Sequence, residues 1–320
     1  MKHKICVSVH FITEERKAKI LKAAEAAGFE VEFFDNDDAA VGHVGDAEVL
    51  YCETPKVPVG AKELKWCQSS YAGIAPYLAP GVLPEDCMLT NGAGSYGVTI
   101  SEHIIMVTLM MLKRMPEYQE IVRRREWRHD LSIRSIFQSR VTIAGTGNIG
   151  KFTANRMKAM GASTVIGVNH SGKCDEPSFD RIITSGHLDE VLPDTDILVM
   201  CVPDTPETQG MLSRERIALL PKHAVIVNVG RGTSIDQDAL IEALNSGQIA
   251  GAALDVMVPE PLPKEHPLWD AKNVIITPHV SGNMTLEFTC DMSVDLFCAN
   301  LERYAKGEPL KHLVDRKRGY

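Results

Sequence analysis

The chain has 320 residues, 44% of them hydrophobic and 24% charged, with a formal net charge of −8 and a pI near 5.8. That length suits two domains of ordinary size, and the apolar share can fill buried cores, which excludes wholesale disorder. The acidic balance argues against a nucleic-acid or anionic-membrane surface, since either calls for a basic field, although one local Arg can still hold a small anion.

The N-terminal third alternates short β-rich runs (Ile5–Val9, Val31–Phe34, Val49–Tyr51, Leu64–Gln68, Met88–Thr90) with turn or helix segments. Glu14 to Ala27 reads as a helix stopped by Gly28. The first apolar run gives way to Thr13-Glu14-Glu15, so it is expected to be a strand and a helix start rather than a signal peptide. Thr99 to Met115 follows as an apolar helix, with Glu102 early and Lys113-Arg114 late, as the helix dipole favours. Its apolar stretch is far shorter than the roughly 20 residues a membrane span needs. A soluble, cytoplasmic protein is expected.

A second series of runs comes next: Val141–Ala144, Thr164–Val168, Ile197–Cys201, Val225–Asn228, Gly251–Leu254 and Val274–Thr277. Their starts fall roughly 23–33 residues apart, the length of a strand, a crossover helix and two loops. The runs are nearly continuous in Val, Ile and Leu, as strands covered on both faces require. Thr285 to Ala305 reads as a helix that returns the chain to the first domain. The expected fold is α/β, with two doubly wound parallel-sheet domains. A Rossmann dinucleotide domain (99–282) is inserted into a discontinuous, flavodoxin-like substrate domain (1–98 plus 283–320).

The eight cysteines include no C-x-x-C pair and no Cys/His cluster. Several sit in strand-like runs, among them Cys6 and Cys201, and reduced buried thiols are expected rather than a disulfide framework or a zinc site. Arg123-Arg124-Arg125 is flanked by Glu120 and Glu126 and reads as a solvated helix face.

Val141-Thr142-Ile143-Ala144 leads straight into Gly145-Thr146-Gly147-Asn148-Ile149-Gly150, and Lys151 to Met160 then reads as a helix. Alone, G-x-G-x-x-G is a weak signal that often marks a Gly-rich turn. Between a strand and a helix it is a dinucleotide fingerprint. Gly145 makes the tight turn, Gly147 admits a pyrophosphate to the backbone, and Gly150 lets the helix pack on the strand. The acidic residue expected at the end of the second strand, which would accept from an NAD ribose, is replaced by Asn169. Ser171, Lys173 and His170 follow and could donate to a 2′-phosphate, so NADP(H) is favoured over NAD(H).

Three more strand ends carry reactive side chains. Arg231 lies in Asn228-Val229-Gly230-Arg231-Gly232, Glu260 stands between Pro259 and Pro261, and His279 follows Pro278. Singly, each has a plain structural reading: a surface ion pair, a turn residue, a capping histidine. Jointly, at successive strand ends where open α/β sheets bind ligands, they make a cation for an anionic substrate and a His–carboxylate pair to move a proton. His10, His103, His129, His187 and His223 lack such company and read as structural or exposed.

These segments resemble the D-isomer-specific 2-hydroxyacid dehydrogenase family: GTGNIG (145–150), CVPDTPETQGML (201–212), NVGRGTSID (228–236), GAALDVMVPEPLP (251–263) and TPHVSG (277–282). The ending VDRKRGY (314–320) is similar to that of its glyoxylate/hydroxypyruvate reductase branch, while the N-terminal domain matches only loosely. The resemblance implies reduction of a small 2-oxo acid to the D-2-hydroxy acid by hydride from a nicotinamide. In that role Arg231 binds the carboxylate and keto oxygen, His279 is the proton donor, and Glu260 holds its imidazole. Asp255 would receive the nicotinamide carboxamide, and the backbone amides of Ala72 and Gly73 would complete the carboxylate cradle. The implied cofactor contacts also include Val202, Pro203, Thr208, Val229, Gly230 and Gly282, with Arg231 and His279 facing the cofactor as well as the substrate. The family's small-domain loop often carries an Asp where Ala75 stands, which leaves the substrate pocket less defined. A homodimer is implied, formed through the segment 116–136. Two alternatives on the same scaffold are a formate- or phosphite-type dehydrogenase and a dinucleotide-sensing co-repressor, which can retain the trio.

Overall fold

The computed structural model describes residues 3–316, so Lys317 to Tyr320 of the C-terminal motif lie outside the described residues. The chain forms two compact units, one from the residues up to Tyr96 together with those from Met284 on, the other from Gly97–Asn283.

The first unit holds a five-stranded parallel sheet of β1 (His3–Val7), β2 (Phe29–Phe33), β3 (Val49–Cys52), β4 (Trp66–Ser69) and β5 (Met88–Thr90), in the order β2-β1-β3-β4-β5. This is the doubly wound, flavodoxin-like order. Between β1 and β2 runs α1 (Glu14–Ala27), capped at its start by the Thr13 side chain and ended by Gly28 at φ 80°, where a side chain would be strained. A short α2 (Asp37–Ala40) precedes β3. The long helix Glu287–Ala305 packs beside α1. Its Phe297 stacks on Tyr51 and Trp66 at ring-centroid distances of 4.6 and 5.4 Å, joining the helix to the sheet.

The second unit holds a seven-stranded parallel sheet. Its strands are β6 (Arg140–Ala144), β7 (Thr164–Asn169), β8 (Arg181–Thr184), β9 (Ile197–Met200), β10 (Val225–Asn228), β11 (Gly251–Leu254) and β12 (Val274–Ile276). The order β12-β11-β10-β9-β6-β7-β8 reverses at β6/β9, so the switch point falls beside the strand that leads into the glycine-rich turn. Strand β8 departs from the sequence reading, which missed it. Four residues beginning with Arg, at a sheet edge, give little hydrophobic signal, and the longest gap between the expected runs hid it.

The apolar interdomain segment is two helices rather than one running to Met115. After α3 (Gly97–Leu112), Arg114 takes a left-handed φ of 57°, and α4 (Met115–Arg123) starts anew with Pro116 in its first turn. Then come α5 (Asn148–Ala159), α6 (Leu188–Val191), α7 (Arg214–Leu219) and α8 (Gln237–Ser246). The core between sheet and helices includes Val168, Leu198, Met200, Ile226, Leu240, Leu244 and Leu254. All eight cysteines are free, five of them buried. Among the described residues no helix is long and apolar enough to cross a membrane, and no group of His, Cys, Asp and Glu could hold a metal ion.

Candidate active site

In the second unit the strands end level with one another. Ala144 and Asn228 both pair with Met200, Asn228 pairs with Leu254, and Leu254 pairs with Ile276. The residues just beyond are therefore neighbours along one edge, and every reactive group named from the sequence of this unit, the β7 loop included, lies within a few residues of it.

At Gly145 the chain turns at φ 102°, and a Cβ would come within 2.6 Å of the Cys201 carbonyl oxygen. At Gly150 a Cβ would collide with the Gly145 carbonyl, so only Gly lets α5 lie this close to β6. Gly147 faces open space and is the N-cap of α5, so it offers no capping side chain to the helix's first N–H groups. These donors, from Asn148, Ile149 and Gly150, are free to meet a phosphate. Asn148 Oδ1 is buried without a hydrogen-bond partner among the described residues. These features fit the pyrophosphate of a dinucleotide.

Asn169, at the end of β7, is committed inward. Its Nδ2 donates to Thr146 Oγ1 (2.6 Å) and to the Lys173 carbonyl (2.8 Å), and its Oδ1 accepts from Gly172 N (2.7 Å). Asn169 thus shapes the loop, and Ser171 Oγ also bonds within it, to Asn169 Oδ1 and the Lys173 carbonyl at 3.3 Å. The side chains of His170 and Lys173 remain exposed. Thr208 is likewise a turn-former, donating to the Pro203 carbonyl (2.6 Å). Val202 is buried and Pro203 exposed beside it.

Arg231 follows β10 in a turn held by the buried Asn228, whose Oδ1 accepts from Gly230 N (3.0 Å) and whose Nδ2 donates to the Arg231 carbonyl (3.0 Å). The sequence reading gave Asn228 no role, although a polar residue ending an apolar strand is a visible sign of one. Gly230 and Gly232 press against the Val202 and Met257 backbones, so this turn has no room for side chains there. Val229 is buried beneath it. Burial pulls the Arg231 guanidinium below its ordinary value, and the Asp204 and Glu260 carboxylates oppose that shift. Asp204, anchored by Thr233 Oγ1 (2.8 Å), was also not anticipated.

Glu260 turns back on its own segment, where Oε1 accepts from Met257 N (2.9 Å) and Oε2 meets His279 Nδ1 at 2.8 Å. Gln237 steadies the segment by donating to the Val258 carbonyl and accepting from Val258 N (3.0 Å). His279 has φ 53° and a side chain 50% exposed, and its Nε2 has no hydrogen-bond partner among the described residues. Asp255, only 1% exposed, organises the loop that carries it. The Asp255 carbonyl accepts from His279 N, Oδ1 accepts from Thr277 Oγ1 (2.5 Å) and Val280 N (2.9 Å), and Oδ2 accepts from Ser281 N (2.9 Å). Burial pushes the Asp255 carboxyl upward, but the hydrogen bonds from Ser281 and Thr277 outweigh it and hold the group ionised below the usual range. Gly282 closes this loop. The geometry thus joins Arg231, Glu260 and His279 electrostatically and by hydrogen bond, and gives Asp255 a holding role beyond the one expected.

In the first unit, Ala72 and Gly73 lie in the loop after β4, where Asn91 Nδ2 donates to the Ala72 carbonyl (3.1 Å) and Gly92 N to the Tyr71 carbonyl (2.9 Å). Ala75 begins a 3₁₀ turn, Ala75–Leu78.

Residues 105–281 match the model of the D-isomer specific 2-hydroxyacid dehydrogenase NAD-binding domain. The chain belongs to the D-isomer-specific 2-hydroxyacid dehydrogenase family, and is a nicotinamide-dependent enzyme of it. It is 31% identical to a glyoxylate/hydroxypyruvate reductase A of Yersinia enterocolitica over 75% of each chain. It is 34% identical to an uncharacterized protein of Corynebacterium melassecola over 88% of this chain and 92% of that one. Among solved structures it resembles an NADPH-dependent glyoxylate/hydroxypyruvate reductase of Sinorhizobium meliloti in complex with NADP and sulfate. That likeness has a TM-score of 0.83 at 30% identity and covers 100% of both chains. A family member from Xanthobacter autotrophicus in complex with NADPH and MES matches with TM-score 0.83 at 27% identity, again over 100% of both.

Proposed function

We propose that this protein reduces a small 2-oxo acid of the glyoxylate or hydroxypyruvate kind to the D-2-hydroxy acid, with NADPH as the preferred reductant. The observation that carries the reading is the His279 Nδ1–Glu260 Oε2 hydrogen bond (2.8 Å) beside a half-buried Arg231. A nicotinamide held at this sheet edge would supply hydride for the substrate C2. Arg231 orients the substrate carboxylate and polarises the keto oxygen, and its planar fork suits both tasks. His279 Nε2 delivers the proton to that oxygen, while Glu260 fixes the ring and balances the imidazolium. The Arg231 cation also stabilises the alkoxide charge as it forms. The amides of Ala72 and Gly73 are proposed as further carboxylate donors.

The NADPH preference is supported by the lack of a carboxylate at the end of β7, by the exposed His170 and Lys173, and by the cofactors bound in the relatives' structures. Turnover of glyoxylate and hydroxypyruvate with NADPH, against NADH at equal low concentration, tests both parts. A clear NADH preference removes the second, and binding without turnover of any 2-oxo acid removes the first.

A cytoplasmic homodimer is proposed as the working form. Its support is the segment 116–136, where Val122, Trp127 and Ile133 are 69%, 98% and 55% exposed, more apolar surface than a solvated segment needs. Sedimentation equilibrium reads this directly, and a monomer at micromolar concentration contradicts it.

A further inference from the structure

The His279 loop is gripped at both ends by one face of α3. Thr99 and His103 stand four residues apart, hence one above the other on the helix. Thr99 Oγ1 donates to the Ser281 carbonyl (3.4 Å), at the far end of the loop. His103 Nε2 lies 3.3 Å from Thr277 Oγ1, at its near end. His279 sits midway, in a left-handed conformation that is uncommon for residues other than Gly.

The direction of the hydrogen bonds follows from the chemistry. Thr277 has one hydroxyl proton, and at 2.5 Å it is given to Asp255 Oδ1, an ionised carboxylate that can only accept. Thr277 Oγ1 is therefore an acceptor toward His103, and the proton between them belongs to His103 Nε2. Burial holds this imidazole below its ordinary pKa, against the pull of Asp255, which keeps it neutral. A neutral ring with Nε2–H is the one tautomer that completes the chain His103 → Thr277 → Asp255.

We propose that His103 and Thr99 form a positioning clamp for the proton donor, with His103 acting through Thr277 and Asp255 to fix the loop in which His279 meets Glu260. The proposal rests on the reading of His279 as the proton donor. It concerns how that residue is held, since His103 touches neither substrate nor cofactor in it. The sequence alone leaves His103 with no such company, because its partner Thr277 is 174 residues away.

Two substitutions separate positioning from plain packing. His103→Leu keeps bulk and removes the donor, and His103→Gln restores an N–H of similar reach. His103→Leu is expected to lower kcat by about tenfold while KM for NADPH and for glyoxylate stays within about twofold, with His103→Gln recovering most of kcat. A leucine variant that turns over like the wild type overturns the clamp, as does a glutamine variant no better than leucine. A second measurement needs no turnover and, with assignment through Thr277, no variant. ¹⁵N NMR of the wild-type protein labelled at histidine is expected to show one ring, assigned to His103 by its absence from the His103→Gln spectrum or by its nuclear Overhauser contact to Thr277, as the neutral Nε2–H tautomer. An Nδ1–H or a charged ring at neutral pH overturns the proposal. Wild type that reduces no 2-oxo acid refutes the functional reading alone, since the tautomer still decides the hydrogen-bond chain.

Discussion

Glu260 serves His279 and its own backbone at once: Oε2 meets His279 Nδ1 at 2.8 Å while Oε1 accepts from Met257 N at 2.9 Å. The second bond removes the carboxylate's freedom to rotate, so the imidazole receives one fixed partner and one fixed tautomer. Because Nδ1 is occupied, any proton transferred to substrate leaves from Nε2.

Replacing Glu260 by Gln keeps an acceptor near the ring but removes the charge that balances the imidazolium. Steady-state kinetics are expected to show kcat for glyoxylate reduction reduced roughly ten- to a hundredfold with little change in KM. An unchanged kcat means Glu260 serves only the Met257 turn.

For Arg231, the conservative change to Lys is as informative as removal. A point charge cannot bind carboxylate and keto oxygen with one planar fork, so Arg231→Lys is expected to lower kcat/KM by about a hundredfold or more, roughly 3 kcal/mol of lost transition-state binding. The checking measurement is kcat/KM with glyoxylate at saturating NADPH. Parity with wild type contradicts the fork argument.

Cofactor choice can be probed without damaging the loop that bears it. Asn169 is bonded to Thr146, Gly172 and Lys173, so Asn169→Asp perturbs folding of the loop as well as its charge. The adjacent His170 is exposed. His170→Asp is expected to cut the NADPH:NADH ratio of kcat/KM by about tenfold through repulsion of the 2′-phosphate, with melting temperature unchanged. A ratio that does not move places the 2′-phosphate elsewhere.

The glycine turn has a sharper expectation. Since any Cβ at Gly150 meets the Gly145 carbonyl, Gly150→Ala pushes α5 off β6. Calorimetric titration is expected to show NADPH affinity lowered by more than about tenfold, while the fold survives, as judged by circular dichroism. Full affinity in the variant contradicts the close-approach role.

Stability should also depend on pH above the carboxylate range. Burial lowers the pKa of His103 and of His312 in the folded state, so both favour the neutral ring there. A group with a depressed folded pKa contributes stability above its unfolded value, about 6.5 for His, and loses it as pH falls through the folded one. Urea midpoints should therefore drop between about pH 6.5 and the more acid folded values. The double variant His103→Gln/His312→Gln is expected to flatten that slope. An equal slope in the variant assigns it to other groups.

Most strands were legible because Val, Ile and Leu runs such as Ile197–Met200 and Val225–Asn228 are buried at every position and carry a nearly unbroken apolar signal. Edge strand β8 was not, since one short exposed side writes only Arg181 and three β-formers into the sequence. The reactive side chains Arg231, Glu260 and His279 stood out because each follows a strand end. Their supports did not. Asn228 was readable as a polar residue ending an apolar strand and bonded within its own turn, but Asp204, Thr277 and His103 act on partners far away in the chain, brought to them by strand register and a helix crossing that local sequence does not encode. Asn169 shows the same limit from the other side. Its identity suggested a cofactor preference, yet its amide is spent on its own loop and on Thr146 of the glycine-rich turn.

The central claim, that His279 donates the proton in 2-oxo acid reduction, is tested most directly by the kcat of His279→Ala for glyoxylate with NADPH, measured beside its NADPH affinity. The account predicts a fall in kcat of about a hundredfold or more with NADPH binding retained. A kcat equal to wild type at every pH contradicts it.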